Sequence, residues 1–420
     1  MKKILCSVAA LGLVCLSGAP PAQAVSQETA MLLQLLQNKG VITSADAVKF
    51  KRTIDQAMAA REKKEEAGDH YHSVRSMAQR IEKLEKTVET AKSGQEPLKK
   101  VNLSGVLAVD AVMSREKAAD GTATESSDLL INTAELDVDA QVNKYVGGHV
   151  AFLYEEDDSN RDGSGIKIDE AIVNIQGAGT TPLYLKAGKM YLPFGSFESH
   201  FITDPQTLVL GRTNDTALIV GYGNSMWDVN VGAFRGQVKK TGDDNKIDSL
   251  VSNVTFTLPD NVVSGLHLRS GISYTSNLAA SDTLQGVVTT AGEVHDMTAG
   301  FSAFAHMEYN IFTLDLEYLG AIDNFADDDL SFTASGNTKP AAWNIETAAK
   351  IMPKLELALR YGGSSDTGDH ANTSLAQAQY GTALLYDMWD DTSIIFEYLH
   401  DEYKNNDHDN QATLELAVQF

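Results

Sequence analysis

Along most of this chain, apolar and polar residues alternate with a period of two. In "FTLDLEYLG", Phe312, Leu314, Leu316 and Tyr318 share one side of an extended strand, and Asp315 and Glu317 share the other. "LELALRY" repeats the pattern, with Leu355, Leu357, Leu359 and Tyr361 set against Glu356 and Arg360. In "LINTAELDVDAQV", Glu135, Asp137 and Asp139 oppose Leu136 and Val138. "SIIFEYLH" places Glu397 opposite Phe396 and Tyr398. Segments of this kind recur from Val101 to Phe420 and predict sixteen strands of about 8–15 residues.

The connections between them sharpen the prediction. Long ones are expected near 114–127, 157–165, 191–215, 237–247, 277–294, 322–340, 364–375 and 403–410. Short ones are expected near 143–144, 177–181, 224–225, 259–264, 309–310, 352–353 and 389–390. Long and short alternate along the chain, as in up-and-down barrels with short periplasmic turns and long external loops. The predicted fold is therefore all-β: a 16-stranded antiparallel transmembrane β-barrel over 101–420. A soluble sandwich gives no reason for loop lengths to alternate. Trp227, Trp389, Tyr145, Tyr222 and Tyr309 fall beside short turns, where an aromatic girdle would meet the membrane interface.

The first hundred residues follow other rules. Residues 1–24 carry Lys2 and Lys3, an apolar run and Ala22-Gln23-Ala24, the pattern of a secretory signal peptide. Residues 25–100 read as a short N-terminal periplasmic α-helical, coiled-coil segment with a linker at 93–97. Val74, Met77, Ile81, Leu84, Val88 and Ala91 are spaced by three and four, which makes a heptad seam. Such a seam suits either a stalk holding a homotrimer together or an amphipathic helix lying on another surface. A structural barrel tethered to peptidoglycan or a partner through these helices is the alternative role.

Charge separates the same segments. Residues 25–100 hold 14 Lys and Arg against 11 Asp and Glu, whereas 101–420 hold 18 against 46. An acidic barrel repels phosphate, so nucleic acid is not an expected partner. Cys6 and Cys15 both lie in the signal-peptide region, which leaves no disulfide or thiolate site beyond it. The acidic loops lack calcium-loop spacing, so no metal site is assigned and no cofactor is expected. There is no G-x-S-x-G motif and the histidines are scattered, which argues against an enzyme.

A closed barrel of this size leaves an aqueous channel, and its inward residues set selectivity. The strand phases turn Glu135, Asp137, Asp139, Glu170, Asp315, Glu317, Glu346, Glu356, Glu397 and Glu415 inward, with Lys186, Arg269, Lys350 and Arg360 as counter-charges. This lining favours cations. The longest loop is unusual. Tyr191, Phe194, Phe197, His200, Phe201 and Arg212 fall in or beside a stretch poor in charge, which an external loop normally avoids. It is expected to fold inward, narrow the lumen and offer an aromatic contact to a ligand.

Two resemblances follow. Phe420, ending an alternating strand, resembles the C-terminal signal that barrel-assembly machinery reads in Gram-negative outer membranes. "IDEAIVNIQG", "LYLKAGKMYLPFGSFESHFITDP" and "TNDTALIVGYG" resemble stretches of the LbtU-like (legiobactin-receptor-type) siderophore porins. That resemblance implies an outer-membrane protein in contact with lipid bilayer and lipopolysaccharide. It also implies uptake of a small solute or ferric siderophore, and sixteen strands with a helical 25–100 segment too small for a globular plug make that uptake passive and TonB-independent. An acidic lumen suits a neutral or cationic chelate better than a polyanionic one.

Overall fold

The computed structural model describes residues 101–156, 165–177, 181–290, 292–331, 337–367 and 375–420. The signal-peptide and coiled-coil expectations lie outside these residues.

Sixteen strands form one closed antiparallel barrel. They are β1 (Val101–Lys117), β2 (Ala123–Gln141), β3 (Val146–Tyr154), β4 (Lys167–Gln176), β5 (Leu183–Tyr191), β6 (Asn214–Gly223), β7 (Trp227–Phe234) and β8 (Ser249–Thr257). They continue as β9 (Leu266–Thr275), β10 (Gly300–Tyr309), β11 (Phe312–Ala321), β12 (Ala341–Met352), β13 (Leu355–Ser365), β14 (Ala378–Trp389), β15 (Thr392–Glu402) and β16 (His408–Gln419). Each strand pairs with its sequence neighbours, and β16 closes the ring on β1. At the seam Phe420 N–H donates to the Gly105 carbonyl (3.1 Å), and Gly105 N–H donates to the Phe420 carbonyl (2.9 Å). Closure leaves no strand edge unpaired, which removes the hazard of a bare apolar edge. Among the described residues no helix is long and apolar enough to cross a membrane, which says nothing of strands.

The two faces sort by polarity in the sense opposite to a soluble protein. Leu316, Leu359, Leu384, Phe396, Leu414 and Leu416 are exposed on the outside. Asn253, Ser302, Asp315, Glu346, Arg360 and Glu397 are buried on the inside. Polar groups buried without partners are costly, so an inward polar face must be wet or hydrogen-bonded. Trp227, Trp389, Tyr222 and Tyr309 are exposed near the short turns. Tyr274, Phe301, Tyr318, Tyr361, Tyr380 and Tyr398 are exposed toward the opposite, long-loop ends of their strands.

The alternation of loop lengths needs one correction. The long connection expected at 114–127 does not exist, because β1 and β2 continue to Lys117 and from Ala123, paired in register to the last residue. The connection after β15 also shrinks, to 403–407. These two tips meet, with Ala119 N–H donating to Asp407 Oδ1 at 2.8 Å. Strand β10 begins at Gly300 rather than near 295.

The inside is not uniformly polar. Between β5 and β6 the chain forms a short helix, α1 (Gln206–Gly211). Between β9 and β10 it forms a 3-10 turn (Leu278–Ala280) and a helix, α2 (Leu284–Val287). Leu192, Phe194, Leu210, Leu278, Leu284, Phe325 and Leu330 join wall residues such as Ile219, Val251 and Leu319 in one apolar cluster. Several connections thus contribute to a dry core at the long-loop end of the barrel, where an acidic aqueous interior was expected.

Candidate functional site

The 192–213 connection crosses the barrel interior, and its backbone is held by wall side chains in sequence order. Gly195 N–H donates to Ser273 Oγ on β9 (2.9 Å). On β11, Glu317 accepts from the N–H groups of Ser196 (2.7 Å) and Phe197 (3.1 Å) and from the Thr207 hydroxyl (2.8 Å). On β12, Glu346 accepts from the His200 N–H (2.8 Å). On β15, Glu397 accepts from the N–H groups of Ile202 (2.8 Å) and Thr203 (3.0 Å) and from the Thr203 hydroxyl (2.6 Å). Residues 195–203, which precede α1 and lie in no helix or strand, have backbone donors to satisfy, and buried carboxylates are strong acceptors for them. Three glutamates therefore act as docking points.

Two basic groups complete the attachment. Arg360 lies under the loop with its side chain fully buried. It donates to Glu346 Oε1 (2.9 Å), Gln379 Oε1 (3.3 Å) and Ser199 Oγ (2.6 Å). Its guanidinium stacks 4.3 Å from the Phe201 ring centre. Arg269 on β9 pairs with Glu198 and donates to Ser196 Oγ at 2.7 Å. His200 bridges two strands, with Nδ1 2.7 Å from Glu356 and Nε2 3.1 Å from Asp315. Burial works against charge on this imidazole, but the two carboxylates outweigh it and hold the pKa up at about 10. At neutral pH both ring nitrogens then carry protons to donate.

Several expected roles change. Phe194 is 2% exposed within the apolar cluster, and Phe201 is 8% exposed among Ala348, Ala358, Ala383 and Leu399. Neither ring can offer an open aromatic surface to a ligand, because each anchors the loop to the wall. Phe197 takes a left-handed backbone (φ 59°) and packs at the cluster's edge. Tyr191, at the end of β5, donates its hydroxyl to Asp169 Oδ2 (2.7 Å), and Arg212 sits 5.7 Å over its ring. Arg212 also approaches Asp282 (3.4 Å) and Asp204 (3.7 Å), tying down the loop's far end. Glu317, Glu346, Glu356, Glu397 and Arg360, read from sequence as pore-lining charges, are taken up by the loop, and Arg269 is tied to it while staying half-exposed.

On strands the loop does not contact through these bonds, the acidic lining is less occupied. Asp137, Asp139 and Glu170 gather around His149, at 3.8, 2.9 and 3.6 Å. Glu135 shares the inward phase of Asp137, and Lys186 stands 5.7 Å over the Tyr184 ring. Asp110 on β1 lies directly opposite Glu415 on β16, which also accepts from Asn132 (3.1 Å). Asp110, His149, Glu198 and His306 were not singled out from sequence. Asp110 had a usable signal, a single charge in the apolar run "VLAVDAVM".

Phe201 needs space, and Gly381 on β14 provides it. A Cβ at Gly381 would lie 2.5 Å from the Phe201 ring and 2.7 Å from Leu399. Gly381→Ala is expected to displace the ring and cost about 1–3 kcal/mol in detergent unfolding. A cost near zero would mean that Phe201 is not seated there.

No family model matches the chain. A UPF0422 protein of Coxiella burnetii is 27% identical over 286 residues, 66% of this chain and 60% of its own length. A UPF0422 protein of Legionella pneumophila (strain Philadelphia 1) is 27% identical over 295 residues, 65% of this chain and 54% of its own. The chain thus spans little more than half the length of the curated relatives it matches. Among solved structures, the outer membrane channel DcaP of Acinetobacter baumannii aligns with a TM-score of 0.54 at 17% identity, covering 76% of this chain and 97% of that one. OmpF of Salmonella typhi gives 0.52 at 13% identity, with the same coverage of 76% and 97%. An anion-selective porin from Comamonas acidovorans gives 0.51 at 13%, covering 76% and 99%. In sequence the chain is similar to UPF0422 proteins, and in fold its barrel is that of outer-membrane porins.

Proposed function

We propose that the barrel is an outer-membrane channel for passive passage of small solutes, with the 192–213 loop as its constriction and a bias toward cations. The observation that carries this reading is the loop itself, bound across the inner wall through Glu317, Glu346 and Glu397. The fold alone does not set the sign of selectivity, since an anion-selective porin shares it. The sign comes from the charges left facing water. Asp137, Asp139 and Glu170 near His149, together with Glu135, outnumber Lys186 on this part of the wall. Such a lining concentrates cations and raises their permeability. A neutral or cationic ferric siderophore fits this lumen, in keeping with the resemblance of "LYLKAGKMYLPFGSFESHFITDP" to siderophore porins.

Planar-bilayer recording of the purified protein under a salt gradient tests the proposal. The expected result is a reversal potential on the cation side, moving toward zero when Asp137, Asp139 and Glu170 are changed together to Asn, Asn and Gln. Absence of single-channel steps, or an anion-side potential, would discard it.

A further inference from the structure

Where the loop meets β10 and β11, three side chains from three elements converge. Glu198 of the loop places Oε2 at 2.7 Å from Nδ1 of His306 on β10. The same nitrogen lies 2.5 Å from Oδ1 of Asp315 on β11. The three residues offer ligand atoms that all lie within 4.8 Å of one another. They line a small niche shared with Ser196, Phe304 and Asn344.

What distinguishes this cluster from a chance gathering of acids is what holds each residue's other polar atom. Oε1 of Glu198 is engaged by Arg269. Oδ2 of Asp315 faces Nε2 of His200 at 3.1 Å, and His200 is itself held by Glu356. Nε2 of His306 faces Oε1 of Glu308 at 3.4 Å. Each residue therefore turns one donor atom to the common point while a neighbour fixes the other. Outer partners of this sort orient metal ligands, above all a carboxylate on the far nitrogen of a histidine.

We propose that Glu198, His306 and Asp315 bind a divalent first-row transition ion of the zinc class inside the barrel. The donor set decides the class. Imidazole nitrogen with carboxylate oxygens suits zinc and its neighbours, whereas calcium and magnesium take oxygen ligands. Binding displaces the proton that His306 Nδ1 shares with the two carboxylates and releases it to water, and two carboxylates with the neutral imidazole so formed match the ion's charge. Ligands about 2.0–2.2 Å from a tetrahedral zinc stand roughly 3.3 Å apart. Seating the ion thus requires the two contacts of His306 Nδ1 to open by less than an ångström, through side-chain rotation. A fourth position remains for water or a solute group. Because Glu198 belongs to the loop, a bound ion would clip the loop to the wall.

Binding does not depend on the channel reading; only its effect on current does. The test is calorimetric titration of the full chain in detergent with Zn²⁺, and separately with Ca²⁺. Zn²⁺ is expected to bind and Ca²⁺ not. His306→Ala should weaken the Zn²⁺ event by roughly 10- to 100-fold or more. His400→Ala serves as control, because His400, Glu402 and His408 form another His-containing group on the barrel. It should leave the event unchanged. Heat-modifiable migration on gels checks that both variants are folded barrels, and Asp315→Asn gives a second variant if His306→Ala is not. Overturning results are equal affinity in wild type and folded His306→Ala, loss only in His400→Ala, equal binding of Ca²⁺, or no Zn²⁺ binding. If binding holds and bilayers show no current, the metal site stands and the channel reading falls.

Discussion

Replacing residues 195–206 with a short Gly-Ser linker is expected to raise single-channel conductance several-fold and to increase the preference for cations. The segment crosses the interior from β9 to β15, and it carries every backbone N–H that Ser273, Glu317, Glu346 and Glu397 accept. Its removal widens the open cross-section. It also returns Glu317, Glu346 and Glu397 to pore water, where ionised carboxylates attract cations. Phe194 and Leu210 lie outside the replaced segment, so the apolar cluster at the loop's two ends persists. The closed ladder of wall strands does not involve the loop, and strand content should not change. Bilayer recordings at matched salt would measure both quantities. Conductance and reversal potential identical to those of the full chain would rule out a constricting role for the loop.

The strands were legible because a barrel has different media on its two faces. On β11 and β13 the apolar residues Leu316, Leu357, Leu359 and Tyr361 are exposed, and Asp315 and Arg360 are buried. Each strand therefore repeats the same two-residue rhythm. Where both faces meet water the rhythm stops without the strand stopping. "SREKAADGTATESS" reads as a loop, yet Ser114–Lys117 pair in register with Ala123–Ser126 as a projecting hairpin. The inward loop was partly legible from its aromatic residues and low charge, and low charge with apolar residues was present but unused in "SNLAASDTLQGVV", whose Leu278 and Leu284 join the interior core. What each carboxylate binds was not legible. Glu397 meets Thr203, and Asp315 meets both His200 and His306. A period-2 pattern gives the face a residue occupies but not the loop that arrives there from a distant part of the chain.

Arg360→Met should be the most destabilising single substitution in the barrel wall, with an expected loss of about 3–5 kcal/mol. Arg360 and Glu346 lie directly opposite each other on β12 and β13, and the side chains of both are 0% exposed. Glu346 uses Oε1 for Arg360 and for the Asn344 amide (2.8 Å), and Oε2 for the His200 N–H. Methionine fills much of the guanidinium's volume beside Phe201 but leaves a buried carboxylate without its cation. Two hydrogen bonds, to Ser199 and Gln379, go with it. Adding Glu346→Gln should recover part of the loss, because the orphaned charge is then removed, and the pair should couple by about 1–3 kcal/mol in a double-mutant cycle. Reversible urea unfolding in detergent or lipid gives these energies. If Arg360→Met costs under ~1 kcal/mol, the pair is behaving as a solvent-exposed one. In that case the loop does not cover this part of the wall, and the increase expected on replacing 195–206 loses its physical basis.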